Sequence, residues 1–155
     1  MNSVLERNIA EADGRYLSNT ELSPLEEYTK TYRVRLQTYC LLQAYSQQLI
    51  LKTLQRLMQT DKPVVEQYGD KCQRDMGYVM LSISNSILKD DENAFREQLI
   101  LWMQNIMSAL RKEAQSARAY RLLQAVVTES LPAENAKLIN RHLDSFIDAL
   151  TSVVS

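Results

Sequence analysis

The residues with most chemistry in reach are Lys71-Cys72-Gln73-Arg74-Asp75-Met76-Gly77-Tyr78. They open a helical pattern that runs to about Leu88. At 3.6 residues per turn, Cys72, Asp75, Met76 and Val79 share one face, and Met80, Ile83 and Ile87 continue the stripe. A thiol and a carboxylate therefore stand one turn apart at the start of a helix expected to be buried. Lys71 and Arg74, also three apart, flank them with two cations. The thiol can bond covalently, the acid can accept N–H groups and the cations can hold carboxylates. Such a set is chemically sensible for an open-chain tetrapyrrole with two propionates.

The segment Lys-Cys-x-Arg-Asp-x-Gly-Tyr resembles the bilin-attachment segment of the phycobiliproteins, the phycocyanin and allophycocyanin family. Three further stretches resemble that family in the same order. Ala12-Asp13-Gly14-Arg15-Tyr16-Leu17-Ser18 is similar to the lead-in to its first long helix, and Ser108-Ala109-Leu110 to the end of a later one. Leu131-Pro132-Ala133-Glu134-Asn135, with Asp144-Ser145-Phe146-Ile147-Asp148-Ala149-Leu150, is similar to its C-terminal helix.

The resemblance implies a thioether from Cys72 to a phycocyanobilin- or biliverdin-like bilin. It implies that Asp75 accepts hydrogen bonds from the inner pyrrole N–H groups. Lys71 and Arg74 would pair with propionates through charge-assisted bonds. Tyr78 belongs to the same motif and Tyr120 matches an aromatic of the pocket rim. The chain also departs from the family. The loop between the first long helix and the Cys72 helix is shorter. Gln98 stands where the family tends to place an aromatic neighbour, Trp102 replaces a small residue, and Ala119 stands where one subunit type has Trp. Trp102 is expected to fill core space or to stack on a pyrrole.

The elements that position these residues follow from pattern. The chain has 155 residues, 45% of them hydrophobic, and a net charge of −1. That fits one folded domain, residues 1–155, and nothing in it favours nucleic acid as a partner. No apolar run reaches the roughly 20 residues of a membrane span, so no membrane insertion is expected. The charged stretch Met1–Asp13 lacks a signal-peptide core, which makes a cytoplasmic location the default. Three Gly and three Pro are too few for a turn-rich all-β protein. The expected class is all-α, a globin-like phycobiliprotein fold of about seven or eight helices with an N-terminal helical extension.

In order, Ser3–Asp13 reads as a short helix with Val4, Leu5, Ile9 and Ala12 on one side. Residues 1–17 are expected to dimerise the chain, as the resemblance implies, and residues 18–155 to form the globin body. Ser18-Asn19-Thr20-Glu21 fits a capping box. A helical region follows from Leu25 to about Met58, with a bend expected near Ala44–Gln47 and with Tyr28, Tyr32, Tyr39 and Tyr45 as core or interface aromatics. Thr60–Gly69 reads as a loop that Val64, Val65 and Tyr68 fold over the mouth of the site. Asp90-Asp91-Glu92-Asn93 caps a helix with Phe95, Leu99, Trp102, Met103, Ile106 and Leu110 on its stripe. Two helices complete the chain: Ala114–Thr128, with Ala117, Tyr120, Leu123 and Val127 on its stripe, and one opened by Pro132, with Leu138, Ile139, Leu143, Phe146, Ile147 and Leu150.

Other chemistries find little support. Cys40 and Cys72 form no metal, CxxC or disulfide pattern. The sole histidine, His142, lies in the last helix, and Lys89–Leu110 offers no proximal ligand, so haem is not expected. No Gly-rich phosphate loop is present and no signature joins Cys72 to His142, so no catalytic residue, no metal and no enzyme are expected. The reading is a bilin-binding globin, with a lean to a carrier or scaffold like the bilin biosynthesis-associated globins. The alternatives are a phycobilisome antenna subunit at the thylakoid face and a pigment-free structural or signalling globin. Expected partners are a second copy or a phycobiliprotein subunit, with a bilin lyase or bilin-forming enzymes.

Overall fold

The computed structural model describes the backbone of residues 2–106 and 113–152 and the side chains of 2–102 and 115–152. Six helices and no strands occur among the described residues: α1 (Ser3–Ala12), α2 (Asn19–Thr60), α3 (Lys62–Lys89), α4 (Glu92–Ile106), α5 (Glu113–Ser130) and α6 (Ala133–Ser152). Ser108-Ala109-Leu110 and the side chains of Met103 and Ile106 lie outside the described residues.

The all-α class is borne out. Among the described residues the helices are fewer than the seven or eight expected, and two local expectations are not met. The helix α2 passes through Ala44–Gln47 without interruption, as no Gly or Pro follows Pro24 within it. The segment Thr60–Gly69 is not a loop: α3 already begins at Lys62, and Asp61 alone separates it from α2. Pro63 falls in the first turn of α3, where its missing N–H costs no hydrogen bond. Gly69 keeps its N–H and is carried within the helix at a cost of about 1 kcal/mol relative to alanine. Val65, placed in the supposed loop, packs against the core.

The caps are sequence-encoded. Asn2 accepts from the N–H of Leu5 at 3.0 Å and starts α1. Gly14, at φ +79°, turns the chain after α1 where a side chain would be strained. The capping box of α2 forms as expected: Ser18 Oγ accepts from Glu21 N–H, and Glu21 accepts from Ser18 N–H at 2.7 Å. Arg15 donates two bonds to the Glu21 carboxylate, at 2.7 and 2.9 Å, and holds this carboxyl down at about 2. At the far end of α3, Asp90 takes the left-handed conformation and α4 is capped by Asp91, which accepts from Ala94 N–H at 3.2 Å.

One core runs through all the helices from α2 to α6. Leu42, Leu49, Ile50 and Leu57 of α2 meet Met76, Val79, Met80, Ile83 and Ile87 of α3. Phe95 and Leu99 of α4, Ala117, Leu123 and Val127 of α5, and Ile139, Leu143, Phe146 and Leu150 of α6 close it. The stripes anticipated for α3, α5 and α6 are buried as expected. The tyrosines of α2 are not core: Tyr28 and Tyr39 are half-buried, and Tyr32 and Tyr45 are exposed. Their hydroxyls have water available there, whereas the inward face of α2 is taken by leucine and isoleucine. Leu5 and Ala12 of α1 are buried within this chain while Ile9 is exposed.

A buried guanidinium ties α2 to α3. Arg35 is only 3% exposed. It donates to the carbonyls of Leu88 and Ile87 at the end of α3, and to Tyr28 O at 2.6 Å. Its charge lies 4.2 Å from the centre of the Tyr28 ring. Replacing Arg35 by Ala strands these carbonyls, so urea unfolding should show a loss of about 3 kcal/mol. Gly77→Ala should do the opposite. A Cβ there meets nothing nearer than Gln47 Nε2 at 3.7 Å, so the urea midpoint should rise, by up to about 1 kcal/mol of stability.

Candidate functional site

The helix α3 presents Lys71, Cys72, Asp75 and Tyr78 on adjoining parts of its surface because residues three, four and seven apart share a side. Cys72, Lys71 and Asp75 are half-buried, whereas Arg74 and Tyr78 face solvent. Cys72 packs at the margin of the core. Among the described residues, neither Lys71 nor Arg74 forms an ion pair with a carboxylate. Their charges nevertheless reach Asp75. Burial raises the Asp75 carboxyl above its ordinary range, and Lys71 and then Arg74 oppose the rise.

The same environment acts on the thiol. Burial pushes Cys72 up to about 11, and the negative charge of Asp75 adds to the rise. Cys72 is therefore a protonated thiol near neutral pH, a poor nucleophile without help. Cys40 is free and exposed on α2.

From α5, Tyr120 comes to this pair. Burial raises its phenol well above the ordinary value, and the charges of Cys72 and Asp75 raise it further. Its side chain is buried, and its hydroxyl has no hydrogen-bond partner among the described residues. An unpartnered buried hydroxyl costs about 1–3 kcal/mol, so it marks a place where a polar acceptor would be accommodated.

Aromatic rings line the flank. Tyr78 and Trp102 stack at 6.3 Å with planes 19° apart. Trp102 lies 5.5 Å from Phe146, and Phe146 lies 4.5 Å from Tyr120. The row runs from an exposed tyrosine on α3, through α4 and α6, to the buried tyrosine on α5. Gln98, expected in an aromatic's place, is exposed and donates to Tyr78 Oη at 3.4 Å. Ala119 is buried next to Tyr120.

The fold thus brings Cys72, Asp75 and Tyr120 into electrostatic contact and joins Tyr78, Trp102 and Tyr120 through rings. Phe146 was read from the sequence as a core position only; its membership of the α6 apolar stripe carried no sign that it bridges Trp102 and Tyr120. His142 lies elsewhere, hydrogen-bonded to Ser86 at the corner between α3 and α4. No group of three or more metal-binding side chains occurs among the described residues.

The donor set suits a linear tetrapyrrole. Its parts are an acid for N–H groups, a thiol for a covalent bond and, among the described residues, two cations without an ion pair for carboxylates and an unpartnered hydroxyl for an acceptor. The comparison with known families agrees: the chain matches the phycobilisome protein family over residues 8–150. It belongs to that family, and its all-α architecture is the family's globin-like fold. A search of curated proteins finds no match. The family's members are pigment proteins that carry linear tetrapyrroles and assemble with partner subunits. Among the described residues, no helix is long and apolar enough to cross a membrane.

The thiol gives a direct check in a Cys40→Ala background. At about pH 8, iodoacetamide should label Cys72 of the folded chain at least about tenfold more slowly than the urea-unfolded chain. The labelling rate should rise with pH toward the raised value of about 11. Asp75→Asn removes a negative neighbour, so its profile should move to lower pH.

Proposed function

We propose that this member of the phycobilisome protein family is a bilin-binding globin with Cys72 as the covalent anchor, acting as a carrier or scaffold for pigment. The observation that carries the reading is the buried Tyr120 hydroxyl, without a partner among the described residues and within electrostatic reach of Cys72 and Asp75. A globin that worked without a ligand would gain by filling that position with phenylalanine. When bound, a phycocyanobilin- or biliverdin-like tetrapyrrole supplies the visible absorption.

Each residue has a role set by its chemistry. Cys72 provides the sulfur for a thioether. Its raised thiol value keeps it protonated near neutral pH, which suits help from a bilin lyase. Asp75 accepts N–H groups, and Lys71 with Arg74 stabilises its charged form while offering hydrogen bonds to carboxylates. Tyr120 donates its hydroxyl to an acceptor from the buried side. The Tyr78–Trp102 pair gives a flat apolar flank, with Trp102 held by Phe146.

The remodelled surroundings favour a carrier over an antenna subunit. The loop expected over the mouth of the site is replaced by a helix, and Gln98 and Trp102 depart from the family's pattern. An antenna needs a pigment held rigidly against internal rotation. A carrier, near bilin-forming enzymes, needs one that can be approached. The N-terminal segment 1–17 is the proposed contact to a second copy or a partner subunit. It displays Ile9 and the almost fully exposed Tyr16, the latter on a turn braced by Arg15 and Glu21. Association with the phycobilisome belongs to the antenna alternative.

Co-expression with a haem oxygenase and a bilin reductase tests the proposal, with spectra taken native and after acid denaturation. A red-absorbing band should persist on the denatured chain and disappear in Cys72→Ala. Asp75→Ala should shift or bleach the native band, and Tyr120→Phe should shift it while leaving attachment intact. A band lost on denaturation means non-covalent carriage. No band in any preparation means a pigment-free globin and overturns the reading. An αβ hexamer with a partner subunit would restore the antenna role.

A further inference from the structure

We infer that Trp102 and Tyr78 form an outward electron relay, through which an oxidising equivalent arising at Trp102 leaves the interior and ends on Tyr78 at the surface. The relay does not depend on a bound pigment. Its basis is the row of rings that crosses the helices. Tyr78 and Trp102 lie almost parallel, with planes 19° apart and centroids at 6.3 Å. On its other side Trp102 meets Phe146 at 5.5 Å, and Phe146 meets Tyr120 at 4.5 Å. Trp102 is the sole tryptophan of the chain. In this row it has a tyrosine stacked beside it outward, and a tyrosine inward that is reached only across a phenylalanine.

The two directions differ in chemistry. A phenol yields an electron readily only when its proton leaves with it, so an acceptor must lie within hydrogen-bond reach of that proton. Tyr78 is exposed, and water takes the proton there. Gln98 donates its amide N–H to Tyr78 Oη at 3.4 Å, which occupies a lone pair and leaves the phenol's own hydrogen for solvent. Tyr120 is buried, and its hydroxyl has no partner among the described residues. Oxidised in that position, it would keep its proton and become a buried cation, which is costly. Phe146 adds to the barrier. It is fully buried, and its ring, with no oxygen or nitrogen, yields an electron far less readily than an indole or a phenol. The outward end of the row is open and the inward end is insulated. The thiol of Cys72, within electrostatic reach of Tyr120, is on the insulated side.

Electrons and protons balance along the relay. A one-electron oxidant, a radical of the kind that light and dioxygen generate, takes an electron from Trp102 and is itself reduced. Tyr78 then gives an electron to the Trp102 radical and its phenolic proton to water. The indole is restored, regaining any N–H proton it had shed to water, and a neutral tyrosyl radical stands at the surface. A soluble thiol or enediol reductant gives that radical a hydrogen atom and returns the phenol. The consequence is that oxidative damage is drawn away from the buried site to a place where small reductants can repair it.

Pulse radiolysis of the full-length protein tests the relay, with the azide radical as oxidant because it attacks indole ahead of phenol. The tryptophan radical band should decay as the tyrosyl radical band grows, at a common rate that does not depend on protein concentration. Tyr78→Phe keeps the ring but has no phenolic proton to release. The growth should be lost in this variant, and the tryptophan radical should live severalfold longer. Tyr120→Phe should keep the growth at the wild-type rate, and Trp102→Phe should remove it. A rate that rises with protein concentration, or growth that persists undiminished in Tyr78→Phe or in Trp102→Phe, overturns the proposal. Loss of the growth in Tyr120→Phe would mean that the oxidising equivalent moves inward, and would overturn it as well.

Discussion

The carboxyl end of α3 is the point on which the architecture depends. A helix of 28 residues that ends inside a protein leaves carbonyls without intrahelical partners and a partial negative charge. Here α2 supplies a cation for both. Arg35 donates to the Leu88 and Ile87 carbonyls while its flat face lies on Tyr28. The attachment fixes α3 along and around α2, and the rotation of α3 decides which way Cys72 and Asp75 point. A guanidinium suits the task because it offers several donors in one plane and stays charged when buried. The same corner receives Ser3 from α1 and His142 from α6, so few side chains set the relation of four helices.

The site at the middle of α3 is governed by partial burial. A thiol and a carboxylate one turn apart on an exposed helix would titrate much as free groups do. At the core margin both are raised, and each raises Tyr120. Lys71 and Arg74 limit the cost for Asp75 without closing on it as ion pairs. The cluster is left with unused hydrogen-bonding capacity; among the described residues, Asn140 Oδ1 is the other buried side-chain polar atom without a partner. That imbalance is the physical basis for assigning it a ligand: interiors rarely keep an unpartnered donor unless something else uses it.

Much of the molecule was legible in the chain. The α-helical class, the caps at Ser18 and Asp91, and the inward stripes of α3, α5 and α6 all follow from residue type and spacing. The motif from Lys71 to Tyr78 places a thiol, an acid and two cations near one another by helical geometry alone, because neighbours within two turns need no tertiary information. Sequence reasoning failed where two local signals competed. Pro63 and Gly69 read as loop punctuation, yet a proline in a first turn breaks nothing, and packing of Val65 outweighs one helical glycine. The tyrosines of α2, read as core or interface aromatics, sit outside the core of this chain, since period does not say which face of a long helix is covered.

What the sequence determined is the set of groups and their order along each helix. What the tertiary structure alone decided is which groups from different helices meet. Tyr120 is 48 residues from Cys72, and no local rule brings its phenol within electrostatic reach of the thiol or leaves its hydroxyl unpartnered among the described residues. Phe146 joins Trp102 to Tyr120 only because α4, α5 and α6 pack around one core. His142, the sole histidine, meets Ser86 of α3 across the packing of α6, 56 residues away in the chain. Helical periodicity fixes the angle of a side chain about its own axis, but pairings between helices depend on how the whole apolar surface is buried at once, and that is a property of the folded chain.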